Sequence, residues 1–378
     1  MRFCLIYDRL YPLTIGGAER WLTELAGDLA AQGHDVTYLT LRHWDRSVEP
    51  SVEGVHVIAF GPRLDPYGKA RRRFAPPIIF GARVLIHLIR NRRRYDAVHV
   101  LSFPYLSTLA AGLFRRFGGY RLVVTWVEVW PLKYWRTYVG TTVGFMGWFI
   151  QRLCIASTTR AQCFSRLHAE RLRAEGFKGE ITLISGLYGG TGNPQLAVPN
   201  PPVAVYAGRH IPDKQVPALV AAVAHARVEM PELRCEIYGD GPEIEAVRDA
   251  VHQYHLEDRV TIHGFVDPAT VDQAIGAASC FVLASRREGF GLVVVEAAAR
   301  ATPSVVVRGE DNAAVELVAD GENGVVAASA SPEDLSVAIR QAVLGGESLR
   351  RSTAAWFLRN EERFSARHSL DRILADYR

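Results

Sequence analysis

Residues 285–300 read SRREGFGLVVVEAAAR, and they follow the apolar run CFVLA at 280–284. The run reads as a buried strand and 293–300 as a helix, so Glu288-Gly289-Phe290-Gly291 is a loop at a helix N-terminus. Such a loop is suited to an anion. Its two glycines allow close backbone approach, and the free N–H groups of the first turn, from Leu292 and Val293 onward, carry partial positive charge. Two carboxylates frame it, Glu288 in the loop and Glu296 about one turn into the helix. They suit hydroxyls on either side of a bound anion. Alone, an E-x7-E spacing reads equally as a solvated loop acid and a helix-face acid, so the rest of the chain has to decide.

The chain has 378 residues, long enough for two domains with separate cores. With 48% apolar and 22% charged residues its composition is that of a folded globular protein. The net charge of +4 is too small to argue for nucleic acid. Positive charge is concentrated at Arg71–Arg73 and in Arg90-Asn91-Arg92-Arg93-Arg94. The five cysteines lack C-x-x-C or Cys/His metal spacing, which implies reduced thiols and no zinc site. The N-terminus lacks the apolar run of a signal peptide, and no stretch is apolar enough to span a bilayer. We therefore expect a cytoplasmic protein, soluble or peripheral on the inner face of the plasma membrane.

In chain order, a strand near residues 3–7 precedes a helix at 18–31, with Gly16-Gly17 between them. A Gly-rich turn from a parallel strand into a helix is where open α/β sheets hold ligands, although this one lacks the G-x-G-x-x-G spacing and also reads as a tight turn. Strands are expected at 36–41, 55–60, 97–101, 122–125 and 181–184. Two segments interrupt the alternation. Residues 76–94 have an apolar body and a basic end, and residues 130–153 are rich in aromatics. They suit attachment to an anionic bilayer, or equally core helices with a solvated basic end. A Gly/Pro-rich stretch then marks a linker. A second alternation follows, with strands at 203–207, 234–238, 260–263, 280–284 and 304–307. The fold class is therefore α/β with two parallel-sheet domains. The expected boundaries are 1–186, a linker at 187–202, 203–350, and a helical tail at 351–378 packing back on the first domain.

Each strand of the second half ends in a glycine-marked loop: Gly208-Arg209, Gly239-Asp240-Gly241, Gly264-Phe265 and 288–291. In a parallel sheet these ends share one edge, so the loops converge. Arg209 can fork two phosphate oxygens and Lys214 adds a point charge, which favours a diphosphate. No D-x-D pair, P-loop or G-x-S-x-G elbow occurs. Leaving-group charge would then fall to Arg209, Lys214 and backbone amides, with no metal.

At this point the chain resembles retaining glycosyltransferases of family 4, of the glycosyltransferase group 1 type, with a GT-B fold. The resemblance rests on Gly16-Gly17-Ala18-Glu19-Arg20, Gly208-Arg209 with Lys214, Tyr238-Gly239-Asp240-Gly241-Pro242-Glu243, His263-Gly264-Phe265-Val266 and residues 288–297, with Asn312-Ala313-Ala314 and 320–324 extending it. It implies two Rossmann-like domains facing a cleft that closes about the linker, and a nucleotide diphosphate-sugar donor, UDP- or GDP-linked, as substrate rather than a cofactor. It implies that Arg209 and Lys214 bind the diphosphate and that Glu288 with the amides through Leu292 bind the sugar. Glu296 would bind the ribose, the turn Gly264, Phe265 and Val266 the base, and Gly17 the diphosphate from the other domain. The acceptor would be a glycan or glycolipid hydroxyl. Members commonly carry a histidine in a T-W-H-E-V-W-like stretch, whereas this chain has Val127 in Thr125-Trp126-Val127-Glu128-Val129-Trp130. Positioning of the sugar should then suffer unless Glu128, His99 or another group substitutes for the imidazole. A second reading, motivated by Val127, is a non-catalytic nucleotide-sugar-binding or scaffolding subunit.

Overall fold

The computed structural model describes all residues except 15, 46, 64–74, 186, 187, 191 and 378, so Arg71–Arg73 lie outside the described residues. The chain divides into two compact units, Met1–Ser185 with Arg367–Arg378, and Gly186–Ala366.

In the first unit, β1 (Arg2–Ile6), α1 (Gly17–Ala31), β2 (Asp35–Leu41), β3 (Val55–Phe60), α2 (Ala75–Arg90), β4 (Ala97–Leu101), α3 (Tyr105–Gly118) and β5 (Arg121–Trp126) follow in order. Then come α4 (Leu132–Val139), α5 (Thr141–Ser157), β6 (Arg160–Cys163), α6 (Arg166–Ala174) and β7 (Glu180–Leu183). The seven strands are parallel in the order β3-β2-β1-β4-β5-β6-β7. The central strands are buried on both faces, which is why β1 and β4 read as continuous apolar runs.

The second unit contains β8 (Val203–Ala207), α7 (Val216–Ala226), β9 (Arg234–Tyr238), α8 (Ile244–Gln253), β10 (Val260–Gly264), α9 (Pro268–Ala277) and β11 (Cys280–Leu283). It continues with β12 (Arg287–Glu288), α10 (Leu292–Ala299), β13 (Ser304–Val307), β14 (Asp311–Asn312), β15 (Gly324–Ala327), α11 (Pro332–Leu344) and α12 (Gly346–Phe364). Its main sheet runs β10-β9-β8-β11-β13-β15, and β12 pairs with β14 in a small ladder. The sheet order reverses between β8 and β11, the switch point at whose carboxyl edge open α/β sheets hold ligands.

The tail corrects one expectation. Residues 351–366 stay with the second unit, and only α13 (Ala366–Asp376), with residues 367–378, joins the first. The cause is Arg350 on α12. Its buried guanidinium donates to the carbonyls of Gly276, Ala278 and Gln195, while Trp356, Phe357 and Phe364 are also buried. The segment expected as a free linker is partly ordered on this unit too, since the Asn193 and Gln195 amides donate to the carbonyls of Ala299 and Arg300, both at 3.0 Å. In α13, Asp376 accepts from Gln162 at 2.7 Å and from Thr182 at 2.8 Å, and the buried Tyr377 hydroxyl meets His99.

Candidate active site

The carboxyl edge of the second sheet is built by glycines that let backbones cross. The Gly208 amide, following β8, donates to the Tyr238 carbonyl at 3.0 Å, and the Gly239 amide donates to the Gly264 carbonyl at 2.7 Å. Gly239 has φ +113°, and a Cβ there would lie 2.0 Å from the Gly208 oxygen, so no other residue fits. These bonds hold the loops carrying Arg209, Asp240 and Phe265 side by side. Arg209 is exposed, and its carbonyl accepts from the buried Tyr206 hydroxyl at 3.0 Å.

The loop after β11 is braced against the turn after β8. Asp213 accepts from Arg287 at 2.8 Å and from Arg286 at 3.2 Å, and the Arg286 amide donates to the Asp213 carbonyl at 2.9 Å. Burial alone would raise the Asp213 pKa, but the two guanidiniums outweigh it and hold the carboxyl below its ordinary range. The bracing brings Lys214 to Glu288, where the ammonium donates to the carboxylate. Ser285 donates to the same oxygen of Glu288 at 2.8 Å. Pairing of β12 with β14 sets Glu288 opposite Asn312. The Asn312 amide in turn donates to the carbonyls of Ser285 and Val307, at 3.0 and 2.7 Å.

Helix α10 begins at Gly291, whose φ of +95° is the left-handed conformation a glycine adopts without strain. Phe290 is buried as an anchor, so the loop is fixed from beneath. Along α10, Val294, Val295 and Ala297–Ala299 face the core. Leu292, Val293, Glu296 and Arg300 form its partly exposed stripe, which puts Glu296 about one turn beyond the free amides. At the far side of the edge Gly264 has φ +70°, Phe265 is 64% exposed, and Val266 is half-buried. Tyr238 and His263 stack there with centroids 4.3 Å apart.

The structure thus brings Arg209, Lys214, Glu288, Gly289–Val293, Glu296 and the 264–266 turn to one edge of one sheet. Sequence reasoning missed Ser285, Asp213, Arg286 and Arg287 as braces. The signal for Ser285, Arg286 and Arg287 was a three-residue polar run after an apolar strand, which without partners reads as solvated loop, and Asp213 left none.

In the first unit, Gly16 is extended (φ 175°) and Gly17 opens α1. A Cβ at Gly17 would meet nothing within 4 Å, so packing does not require glycine there. Glu128 follows β5 and accepts from the Trp130 indole at 2.7 Å, while Val127 beside it is half-buried. His99 is corrected as an acceptor-side group. It lies inside β4, fully buried between Thr125 (2.7 Å) and Tyr377, and burial lowers its pKa to about 3.

The aromatic stretch divides between its two readings. Gln151, buried in α5, accepts from the Tyr105 hydroxyl at 2.9 Å and from the Trp135 indole at 3.3 Å, and it donates to the Trp130 carbonyl at 2.9 Å. Trp135 is thereby turned inward, whereas Trp130 is half-buried with its indole on Glu128. Tyr138, Phe145, Met146 and Phe149 remain exposed.

Residues 16–185 match the family model "Glycosyl transferase 4-like domain", and residues 193–355 match "Glycosyl transferases group 1". Over 162 residues the chain is 33% identical to an exopolysaccharide phosphotransferase of Streptomyces coelicolor, an alignment covering 42% of this chain and only 16% of that protein. Over 373 residues it is 25% identical to a glycogen synthase of Mycobacterium tuberculosis, covering 90% of this chain and 85% of the synthase. The structure superposes on a sucrose-phosphate synthase of Thermosynechococcus elongatus with a TM-score of 0.81 at 20% identity, covering 100% and 98% of the two chains. One glycosyltransferase domain model is thus matched in each half of the chain, and the two-domain parallel-sheet architecture shared with the sucrose-phosphate synthase is the GT-B fold.

Proposed function

We propose that the chain transfers a sugar from a nucleotide diphosphate-sugar to a hydroxyl of a glycan or glycolipid, with retention at the anomeric carbon. The observation that carries the reading is the cluster of Lys214, Glu288 and Ser285 at the β8/β11 switch point, beside the exposed Arg209 and the free amides of α10. The bond from the anomeric carbon to the diphosphate oxygen breaks, and the acceptor oxygen bonds to the same face of that carbon. The acceptor proton passes to the departing phosphate. Arg209 and Lys214 meet the growing negative charge, so the step is proposed to proceed without a metal. Glu288 holds sugar hydroxyls, Glu296 the ribose, and the 264–266 turn the base of a UDP- or GDP-linked donor. On the acceptor side Gly17 gives close approach to the diphosphate and Glu128 orients the sugar. The setting we propose is cytoplasmic, in synthesis of an envelope glycan or exopolysaccharide at the inner membrane face.

A second reading, a nucleotide-sugar-binding subunit without transfer, is motivated by Val127, where the family resemblance implies a histidine. One experiment separates the two. Donor hydrolysis and transfer are measured across UDP-, GDP- and ADP-linked sugars with the wild type and Glu288→Ala. Turnover abolished by the substitution supports the enzyme, and nucleotide-sugar binding without turnover for any donor supports the subunit.

A further inference from the structure

The outer helices of the first unit form a surface whose chemistry the transfer reaction does not use. Helix α3 packs between α2 and α5 on one side of the sheet. Gly81 and Gly112 permit the close approach, since a Cβ at Gly81 would lie 2.7 Å from Leu106 Cβ and one at Gly112 would lie 2.3 Å from Ser157 Oγ. The Arg92 guanidinium donates to the Phe117 carbonyl at 3.2 Å and joins the ends of α2 and α3. The outward side of this layer is apolar. Phe145, Met146 and Phe149 on α5 are 47%, 58% and 51% exposed, Leu113 and Phe117 on α3 are 65% and 64%, and Ile89 on α2 is 51%. Phe149 lies three and four residues beyond Met146 and Phe145, and Phe117 four beyond Leu113, so on α5 and on α3 these positions share one face.

Charge on and beside the face is mostly positive, and the acids that reach it from other segments are paired, Glu175 with Arg152 of α5 at 3.4 Å and Glu180 with Arg160 at 2.7 Å. Residues 75–157 hold eleven Lys or Arg and two carboxylates, Asp96 and Glu128. Both carboxylates are engaged, Asp96 by Arg2 at 2.7 Å and Glu128 by Trp130 at 2.7 Å. The arginines gather where α2 and α3 end: Arg92, Arg93, Arg94 and Arg116 are exposed there. Beside them a cavity of about 650 Å³ is lined by Arg115, Arg116, Arg121 and Arg160. Arg160 is paired with Glu180 at 2.7 Å, whereas Arg115 and Arg116 have no ion pair among the described residues. Arginines at helix C-termini also complement the helix dipoles. That role explains neither the excess of cations nor the exposed aromatic and aliphatic side chains.

We infer that this face docks on an anionic lipid bilayer, with the α5 aromatics and the α3 side chains in the interfacial layer and the arginines, including those of the cavity, on lipid phosphates. A soluble anionic partner would satisfy the arginines but leave the apolar side chains in water. A second copy of the chain would cover the apolar side chains but bring like charges together. A bilayer satisfies both.

The test is flotation of the full chain with vesicles of phosphatidylcholine alone or mixed with phosphatidylglycerol. Expected is roughly tenfold or greater preference for the anionic vesicles, weakened by salt. The combined variant Phe145→Ser, Met146→Ser, Phe149→Ser and the combined variant Arg93→Gln, Arg94→Gln, Arg116→Gln should each reduce flotation roughly tenfold. Nucleotide-sugar-induced thermal shifts should be unchanged in both, which separates this surface from the donor site. Equal flotation with both lipids, none at low salt, or flotation unaffected by both variants would overturn the inference. So would a dimer in solution that the α5 variant dissolves. The wild-type comparison of lipids and salts decides by itself if a variant fails to fold.

Discussion

Lys214 and Glu288, brought from separate loops, form an ion pair at the switch point of the second sheet, and Ser285 holds the same carboxylate oxygen. Each of these three groups therefore sets the position of the others. Lys214→Ala should lower kcat/KM for the donor by roughly 100- to 1000-fold, the range seen when one preorganised group aimed at developing charge is removed. Glu288→Gln keeps the shape but not the charge, and should lose turnover while retaining most nucleotide affinity. Steady-state kinetics with calorimetric titration of the nucleotide checks both. Unchanged kcat/KM in Lys214→Ala would remove the lysine from the site.

Glu128 sits in the first unit, fixed by the Trp130 indole at 2.7 Å. If it orients the sugar on the acceptor side, Glu128→Ala should cut transfer by roughly tenfold or more and leave nucleotide binding unchanged, because every group assigned to the nucleotide except Gly17 belongs to the other sheet. Thermal shift with the nucleotide alone, set beside transfer rates, reads the two effects separately. A parallel loss of nucleotide binding would contradict the assignment.

Gly239 and Gly17 make an instructive pair. Gly239→Ala places a Cβ 2.0 Å from the Gly208 oxygen at φ +113°, so it should destabilise the second unit by about 3 kcal/mol or more and abolish the nucleotide-induced shift. Gly17→Ala meets nothing within 4 Å and sits in the first turn of α1. It should leave stability equal or slightly higher, by at most about 1 kcal/mol, and yet lower turnover if the backbone there must approach the diphosphate. Melting curves and transfer assays on the two variants give the comparison.

These glycines also show what was legible beforehand. Most strands of both sheets could be read from apolar runs and Gly-marked strand ends because strands buried on two faces leave a continuous signature, as β1 and β11 do, whereas the four-residue β6 (Arg160–Cys163) and β15 (Gly324–Ala327) were not expected. The positions of Arg209, Glu288 and Glu296 followed from the loops that carry them. Long-range pairing left no local trace. The Asp213 carboxylate needs Arg286 and Arg287 from over seventy residues away, and the split of the tail depends on Arg350 reaching carbonyls at 195, 276 and 278. The outward turn of α5 was likewise hidden, because its apolar residues run nearly all round the helix and only Gln151 reveals which side faces in.

Arg350 is a buried guanidinium satisfied by carbonyls, two of them at the C-terminal end of α9. Burial lowers its pKa from the ordinary arginine value. Arg350→Met should destabilise the second unit by about 2–4 kcal/mol, since three carbonyls lose their donor and α12 loses its tie to α9. Arg350→Lys should recover only part of this, because an ammonium cannot fork to the same acceptors. Denaturant titration following the second unit's transition measures both.

The pH dependence of the first unit should follow His99 and His87. Burial depresses His99 to about 3, and burial followed by the Arg94 charge depresses His87 to about 4. In the unfolded chain both titrate near 6.5. Between these limits the unfolded state binds protons that the folded state refuses, so stability falls as pH falls. The contribution is fully present above about pH 6.5 and is lost on acidification at up to about 1.4 kcal/mol per pH unit for each histidine, levelling near pH 4 for His87 and near pH 3 for His99. The fully buried His99 lies between Thr125 and Tyr377, whereas His87 is half-buried, so His99 should dominate. His99→Gln keeps hydrogen-bonding capacity without a proton to gain. It should cost stability at neutral pH, because the amide does not fill the imidazole's place between those hydroxyls, and yet flatten the slope between pH 6 and 4. Urea titrations of wild type and variant across that range decide it. Parallel slopes would mean that His99 does not set the pH dependence of the first unit.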